Sequence, residues 1–508
     1  MSDAVPSLPA LDRIEEEWLD PALIENVPVD WVRRHALVPF RWEGRIAIAG
    51  ADPAALQPYE DLALLLGTET VWATAPAEEI QRAIDRCYFR RAPVAAAPAA
   101  GADANVPARH KADDLLAGGG DAPVAQAVNA ILLEAVKRGA SDIHVEPFAN
   151  ALAVRYRIDG LLYEQPGPPR HLEQALTARL KVMAHLDLAE KRLPQDGVAR
   201  VRVGAREIDV RVSSVPVAEG ERIVLRLLHR EATRYSLNEL GMPPAMLEQF
   251  RAVLREPHGI VFVTGPTGCG KTTTLYAALR ELDTAHLNVL TIEDPIEYQL
   301  PNIGQIQVHP KIDLTFARGL RHVMRQDPDV ILVGETRDLE TAEIVVRASL
   351  TGHLVFTTLH TNDAPGAVTR MVDMGIPPYL LASTTRAVLA QRLVRCLCPA
   401  CRRETGLPAA EAAALGQPAL AGRRVWEAEP AGCPDCLGGY KGRTGIHELL
   451  AVGPAIAEAI RTAAPPAEFR RLALAAGFRE MLADGLDKIL AGVTTAAEVL
   501  RAVGVRRA

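Results

Sequence analysis

Several things are scarce in this chain, and each scarcity narrows the reading. No stretch reaches the roughly 18 uninterrupted apolar residues of a membrane helix; the most apolar runs, such as GIVFV at 259–263, have strand length. The N-terminal segment MSDAVPSLPALDRIEEEWLD is acidic and lacks an apolar core with basic flanks, so no signal peptide is expected. A cytoplasmic chain is expected, with any membrane attachment supplied by a partner. Charge of one sign is also missing: 56 Lys plus Arg against 63 Asp plus Glu give a formal charge of -7, with no global attraction to nucleic acid. Aromatic residues are only 5% of the chain, which leaves little for base stacking. Seven cysteines in 508 residues are too few for a disulfide scaffold.

What is present has the composition of a globular protein, 48% apolar and 23% charged. The length suggests about two to four domains. A small α/β domain is expected within 1–90, where a short alternating run (RIAIAG) precedes the amphipathic stretch PAEEIQRAIDRCYF. Residues 91–122 are rich in Ala, Pro, Gly and Asp without a lasting period, and read as a linker. In 123–233, APVAQAVNAILLEAVKRGA has helical spacing closing on Gly139, and ALAVRYRIDGLLYE alternates around an Asp-Gly turn as a hairpin does. From Ile260 onward the apolar runs IVFVTG, NVLTIEDP, DVILVGE and LVFTTLH alternate with helical stretches. That alternation predicts an α/β fold with a largely parallel sheet covered by helices.

The stretch GPTGCGKTTTLY, 265–276, matches G-x-x-x-x-G-K-[ST] between a predicted strand and a predicted helix. The backbone of Gly265, Pro266, Thr267, Gly268, Cys269, Gly270, Lys271, Thr272 and Thr273 would wrap the phosphates of ATP at the positive end of that helix, with N–H donors from all but Pro266, which has none. Lys271 would neutralise the β and γ phosphates, and Thr272 would offer an oxygen to Mg2+. The next apolar strands end on charged tips: Glu293, Asp294 and Glu297 in TIEDPIE, Glu335 in GETRD, and His360 in TTLHTND. In open α/β sheets, ligands sit beyond the carboxyl ends of the strands. These groups are therefore expected around the γ-phosphate and the attacking water, with Glu335 holding the Mg2+ shell. Phosphoryl transfer also calls for arginines, and Arg211, Arg226, Arg318, Arg321, Arg325 and Arg337 are candidates.

Cys398 and Cys401 form one C-x-x-C pair, Cys433 and Cys436 another, 31 residues apart. Two such pairs signal a structural Zn2+ held by four thiolates in a closed shell with no open position for substrate. An iron-sulfur cluster or a redox pair are the alternatives, and Cys396 is expected to be a bystander.

Taken together, SDIHVEP (141–147), RYRIDG (155–160), LDLAEKRLPQDG (186–197), the phosphate loop, TIEDPIE, GETRD, TGHLVFTTLHTNDA (351–364), the cysteine pairs and GRTGIHELL (442–450) resemble the secretion ATPases. Within that family the chain looks most like the type II secretion assembly motors. The resemblance implies a RecA-like P-loop NTPase core at 234–395, preceded by a PAS-like module at 123–233 and an N-terminal adaptor domain at 1–90. A zinc module would follow at 396–447 and a C-terminal helical domain at 448–508. It also implies a homohexamer binding ATP between the 123–233 module and the core. Glu335 would be the Walker B acid; Glu293 and Glu297 would lie in the aspartate box, and His360 in the histidine box. Arg211, Arg226, Arg321, Arg325, Arg337 and Arg443 match arginines of the family's site or subunit contacts.

The family's adaptor docks on the cytoplasmic domain of an inner-membrane platform protein, so the resemblance implies peripheral attachment through residues 1–90 and action on the pseudopilus assembly machinery. Related N-terminal domains that bind cyclic di-GMP open on an RLG with a long leucine pattern, which this chain lacks. The family's pilus-extension ATPases are the nearest alternative function, and a RecA-like nucleic-acid motor is the more distant one. Thr336 departs from the family pattern, which usually has an apolar residue there.

Overall fold

A computed structural model describes residues 123–504 apart from 204, 205 and 230–234, the pair 113–114, and most of 11–89 (not 21, 22, 24–31, 33, 34, 43, 44, 52–55 and 67–69). Apart from 113–114, the stretch read as a linker lies outside the described residues. The chain divides into two compact units, 1–107 and 108–508.

In the first unit, strands Leu37–Trp42 and Arg45–Gly50 pair antiparallel and Thr70–Thr74 joins in parallel. The amphipathic stretch foreseen near its end is the helix Ala77–Phe89. Ile80, Ala83 and Ile84 recur at helical spacing and are buried with Leu37, Phe40 and Ile48 in one core.

The second unit starts with a sheet in the order Asp113–Asp114, Gln195–Val203, Arg206–Val217, Gly220–His229, Asp142–Phe148, Ala151–Ile158, Leu161–Gln165. The hairpin 151–165 turns at Asp159 and Gly160, both at positive φ (49° and 85°), as its Asp-Gly predicts. Period-two alternation gives this sheet one apolar face. Ile208, Val210 and Val212 point to the core that helices Pro123–Lys137 and Glu173–Met183 cover with Val128, Leu132, Leu176 and Leu180. Register places Arg211 opposite Arg226, Arg226 opposite Asp142, and Asp142 opposite Arg157, so these polar residues share the other face.

A second seven-stranded sheet follows, in the order Gly304–Gln307, Val289–Glu293, Val330–Val333, Leu354–Leu359, Gly259–Thr264, Thr385–Leu397, Tyr440–Ala451. All its pairings are parallel except the last. The central strands are apolar throughout because both faces are covered. One core contains Val261, Val263, Leu275 and Tyr276; the other contains Ile260, Phe262, Ile331 and Val345 and continues into the C-terminal helices. Those helices, Pro454–Arg461, Pro466–Ala475, Met481–Leu490 and Ala496–Val503, pack through Ile456, Phe469, Met481 and Val499. The cysteine-bearing segment is an excursion between the two antiparallel strands Thr385–Leu397 and Tyr440–Ala451, and its short strands Arg403–Gly406 and Arg424–Glu427 pair with each other. Among the described residues, no helix is long and apolar enough to cross a membrane.

Candidate functional site

Strand Gly259–Thr264 runs into the glycine-rich loop, and helix Lys271–Leu279 leaves it with Gly270 as its N-cap. Gly265, Gly268 and Gly270 have φ of 144°, 78° and 90°, values that a side chain would strain. At Gly265 space is short as well: a Cβ would stand 2.5 Å from the Gln391 carbonyl oxygen and 2.7 Å from the Cys269 sulfur. The result is an open loop of backbone donors at a helix start, with dimensions set from behind.

Lys271 folds back over this loop, its Nζ donating to the carbonyls of Gly265 (2.8 Å) and Pro266 (3.2 Å). Burial pushes its ammonium below the usual amine range, while the Cys269 and Glu335 side chains work the other way. An incoming polyphosphate would supply the counter-charge the lysine lacks. Thr272 and Thr273 follow in the first helical turn, both half-buried.

Beside the loop stand Glu335 and His360. Glu335 follows the strand Val330–Val333 by two residues and takes an ion pair from Arg337 at 2.7 Å, with His360 Nε2 at 3.5 Å from its other oxygen. Thr336 fixes this turn. Its backbone N–H donates to the Thr358 carbonyl (3.0 Å), its buried hydroxyl meets that of Thr357 (2.8 Å), and Thr358 Oγ1 donates to the Gly334 carbonyl (2.7 Å). The departure from an apolar residue at 336 is thus a hydroxyl pair that pins Glu335 to the neighbouring strand. The loop after His360 is tied to the phosphate strand in the same manner, Thr361 N–H donating to Thr264 Oγ1 at 2.9 Å.

Glu293 and Glu297, close in sequence, have different surroundings. Glu293 is buried and its carboxylate accepts from the hydroxyls of Tyr276 and Thr291 and from the amide of Gln305. Burial, followed by the nearby Glu293 charge, raises the Tyr276 pKa far above its ordinary value. Those three donors occupy Glu293 inside the protein. Glu297 is half-exposed and meets Arg211 of the preceding module at 3.6 Å, where Arg211 also donates to the Ile296 carbonyl. Arg211 is therefore an arginine that crosses from module to core within one chain.

The remaining arginines are engaged elsewhere. Arg226 is paired with Asp142 of its own sheet at 3.0 Å, Arg318 with Asp313, and Arg321 with Glu340; Arg325 donates to His322 Nδ1 at 2.6 Å, and Arg443 faces Asp159 at 3.3 Å. The Arg443 contact is reinforced by Gly442 N–H donating to Asp159, which joins the 123–233 module to the outermost strand of the core.

Gln391 went unnoticed in the sequence. It is buried on strand Thr385–Leu397, accepts from Thr274 Oγ1 at 2.8 Å and donates to the Cys269 carbonyl at 2.7 Å. The signal was available: an amide in the apolar run RAVLAQRLV has to find partners.

The sulfurs of Cys398, Cys401, Cys433 and Cys436 lie within 4.8 Å of one another, with separations of 3.8, 3.6 and 3.6 Å for 398–433, 401–436 and 433–436. A tetrahedral ion with metal–sulfur bonds of about 2.3 Å sets sulfurs about 3.8 Å apart, so the donor set fits. Cys396 is not in this group.

The family model described as type II/IV secretion system protein matches residues 118–501, and that of the MshEN domain matches residues 7–93. Among curated relatives, type II secretion system protein E of Aeromonas hydrophila is 53% identical over 392 residues, covering 77% of this chain and 78% of the relative. Type II secretion system ATPase E of Vibrio cholerae is 51% identical over 390 residues, 77% of each chain. Among solved structures, that of the pilus retraction motor PilT with bound ADP is similar with a TM-score of 0.50 and 28% identity, covering 73% of this chain and 95% of that one.

Proposed function

The chain belongs to the type II/IV secretion system protein family, and from that premise we propose that it hydrolyses ATP to drive pseudopilus assembly and protein export by type II secretion. The observation that carries the reading is Lys271 folded over a glycine loop, with Glu335 and His360 on the adjoining strand ends. The loop's backbone donors and Lys271 bind and orient the phosphates. Thr272 and Glu335 would hold Mg2+, which when bound neutralises developing charge on the transferred group. Glu335, paired with His360 and Arg337, keeps its carboxylate fixed beside the loop. Arg211 and Glu297 close the side facing the preceding module, so a change there on nucleotide binding would move the module against the core.

The four cysteines would hold Zn2+ as a structural ion. The working form is a homohexamer on the cytoplasmic side of the inner membrane, attached through residues 1–90 to the cytoplasmic domain of a platform protein. This attachment accounts for a membrane-linked role in a chain whose described residues include no spanning helix. Replacing Lys271 with Ala removes the charge that meets the phosphates. The expected outcome is loss of ATP hydrolysis, measured as phosphate release, and loss of secretion in the native cell; wild-type hydrolysis by that variant overturns the assignment.

A further inference from the structure

Gln391 poses a physical question. A glutamine inside an apolar strand loses hydration, and an aliphatic side chain would fill the same volume without that cost. Nor does the strand need it, since its backbone already pairs with Gly259–Thr264 on one side and Tyr440–Ala451 on the other. Both ends of the amide point instead at the phosphate loop: Nε2 to the Cys269 carbonyl and Oε1 to the Thr274 hydroxyl. These two anchor points bracket residues 270–273, the stretch whose N–H groups begin the helix. The register puts Ala390 level with Thr264, and Thr264 level with Leu359. Gln391 and His360 therefore each stand one residue past Thr264, on the strands either side of the one that leads into Gly265.

We propose that Gln391 is a positioning residue for nucleotide binding, setting the phosphate loop in its binding shape through Cys269 and Thr274. The proposal rests on the ATPase reading above and adds the device that shapes its loop. The loop's glycines give the backbone wide conformational freedom, and affinity falls in proportion to the fraction of time a site spends in its competent form. If loss of the strut leaves a tenth of the molecules competent, the apparent Kd rises about tenfold while chemistry on bound nucleotide continues.

The test uses the full chain with a fluorescent ADP analogue for Kd, phosphate release for KM and kcat, and thermal unfolding of the nucleotide-free protein. For Gln391→Met, Kd and KM are expected to rise about tenfold with kcat changed less than about threefold. Thr274→Val, which removes the same bond from its other end, should shift Kd in the same direction. Thr274→Ser, which keeps the hydroxyl, should return Kd to the wild-type value, and Gln391→Met combined with Thr274→Val should lose less than the product of the single effects. A lowered Tm with wild-type Kd and KM in both Gln391→Met and Thr274→Val would overturn the proposal, leaving Gln391 as packing. Should Gln391→Met fail to fold, the Thr274→Val and Thr274→Ser pair decides alone. Wild-type protein that binds no nucleotide would instead overturn the ATPase reading, a separate outcome.

Discussion

Replacing Glu293 with Gln tests whether this acid is a chemical participant or a buried keystone. In the structure its carboxylate receives Tyr276 Oη, Thr291 Oγ1 at 2.5 Å and Gln305 Nε2 at 3.1 Å. Gln305 is held in turn by the Leu300 N–H and the Tyr298 carbonyl, and Tyr298 meets the Tyr276 ring edge-on. A glutamine keeps the shape but offers one acceptor atom instead of two, so at least one of the three donors faces an NH2. Hydrogen bonds to a charged acceptor contribute about 1.5–3 kcal/mol and neutral ones about 0.5–1.5, while an orphaned buried donor costs about 1–3. Weakening two bonds and orphaning one donor comes to about 4 kcal/mol. At about 1–2 °C per kcal/mol for a unit that spans 108–508, Tm should fall by roughly 5 °C. Thermal unfolding and ATP turnover well below Tm would be measured together, with Glu335→Gln in parallel. Glu293→Gln should lose stability and keep kcat within about tenfold; Glu335→Gln should keep stability and lose about 100-fold or more in kcat. An unchanged Tm with collapsed turnover in Glu293→Gln would refute the keystone argument.

Other perturbations follow from the same geometry. Cys433→Ser, or a strong chelator, should release one metal ion per chain by elemental analysis and lower Tm, and a metal-free wild-type protein of equal stability would contradict the staple. Glu498 is buried, which alone would raise its pKa, but hydrogen bonds from Arg395 and Arg501 bring it down to about 2. Its folded value lies below its unfolded value near 4.5, so its contribution is complete above about pH 4.5 and is lost as pH falls towards 2. Acid unfolding curves should show about 3 kcal/mol of this dependence, missing in Glu498→Gln. Arg211→Ala removes the contact from the 123–233 module to Glu297 and should lower kcat/KM for ATP about tenfold; unchanged kinetics would confine Arg211 to a surface role.

Much of the site was legible because its chemistry is local. The phosphate loop, the strand tips at Glu335 and His360, and the paired cysteines each depend on residues within a few positions of one another, and spacing carries that information. Periodicity likewise sufficed for the strands of the core, because burial on both faces makes them continuously apolar. The arginines were harder, since where a side chain reaches depends on register between distant strands. Arg211 and Arg226 lie opposite each other on one sheet, yet one meets Glu297 of the core and the other stays with Asp142. Glu293 and Glu297 differ for the same reason: strand alternation sends the first inward to Tyr276, and the sequence shows only two acids four residues apart. Thr336 and Gln391 exert their effect through partners 21 and 117 residues away, which no local pattern reveals.

Strand Thr385–Leu397 starts level with Ile260, passes the phosphate loop at Ala390 and Gln391 and ends next to Cys398, and the antiparallel strand Tyr440–Ala451 returns alongside it from the second cysteine pair. Cys398 lies seven positions beyond Gln391, roughly 23 Å of extended backbone. Both ends of that span are fastened, one by the amide that grips the loop and the other by the sulfur cluster, and Glu498 clamps Arg395 between them. A span fastened at both ends ties the setting of the loop to where the sulfurs sit, so Cys433→Ser is expected to weaken binding of a fluorescent ADP analogue, and an unchanged Kd would show that the two ends are independent.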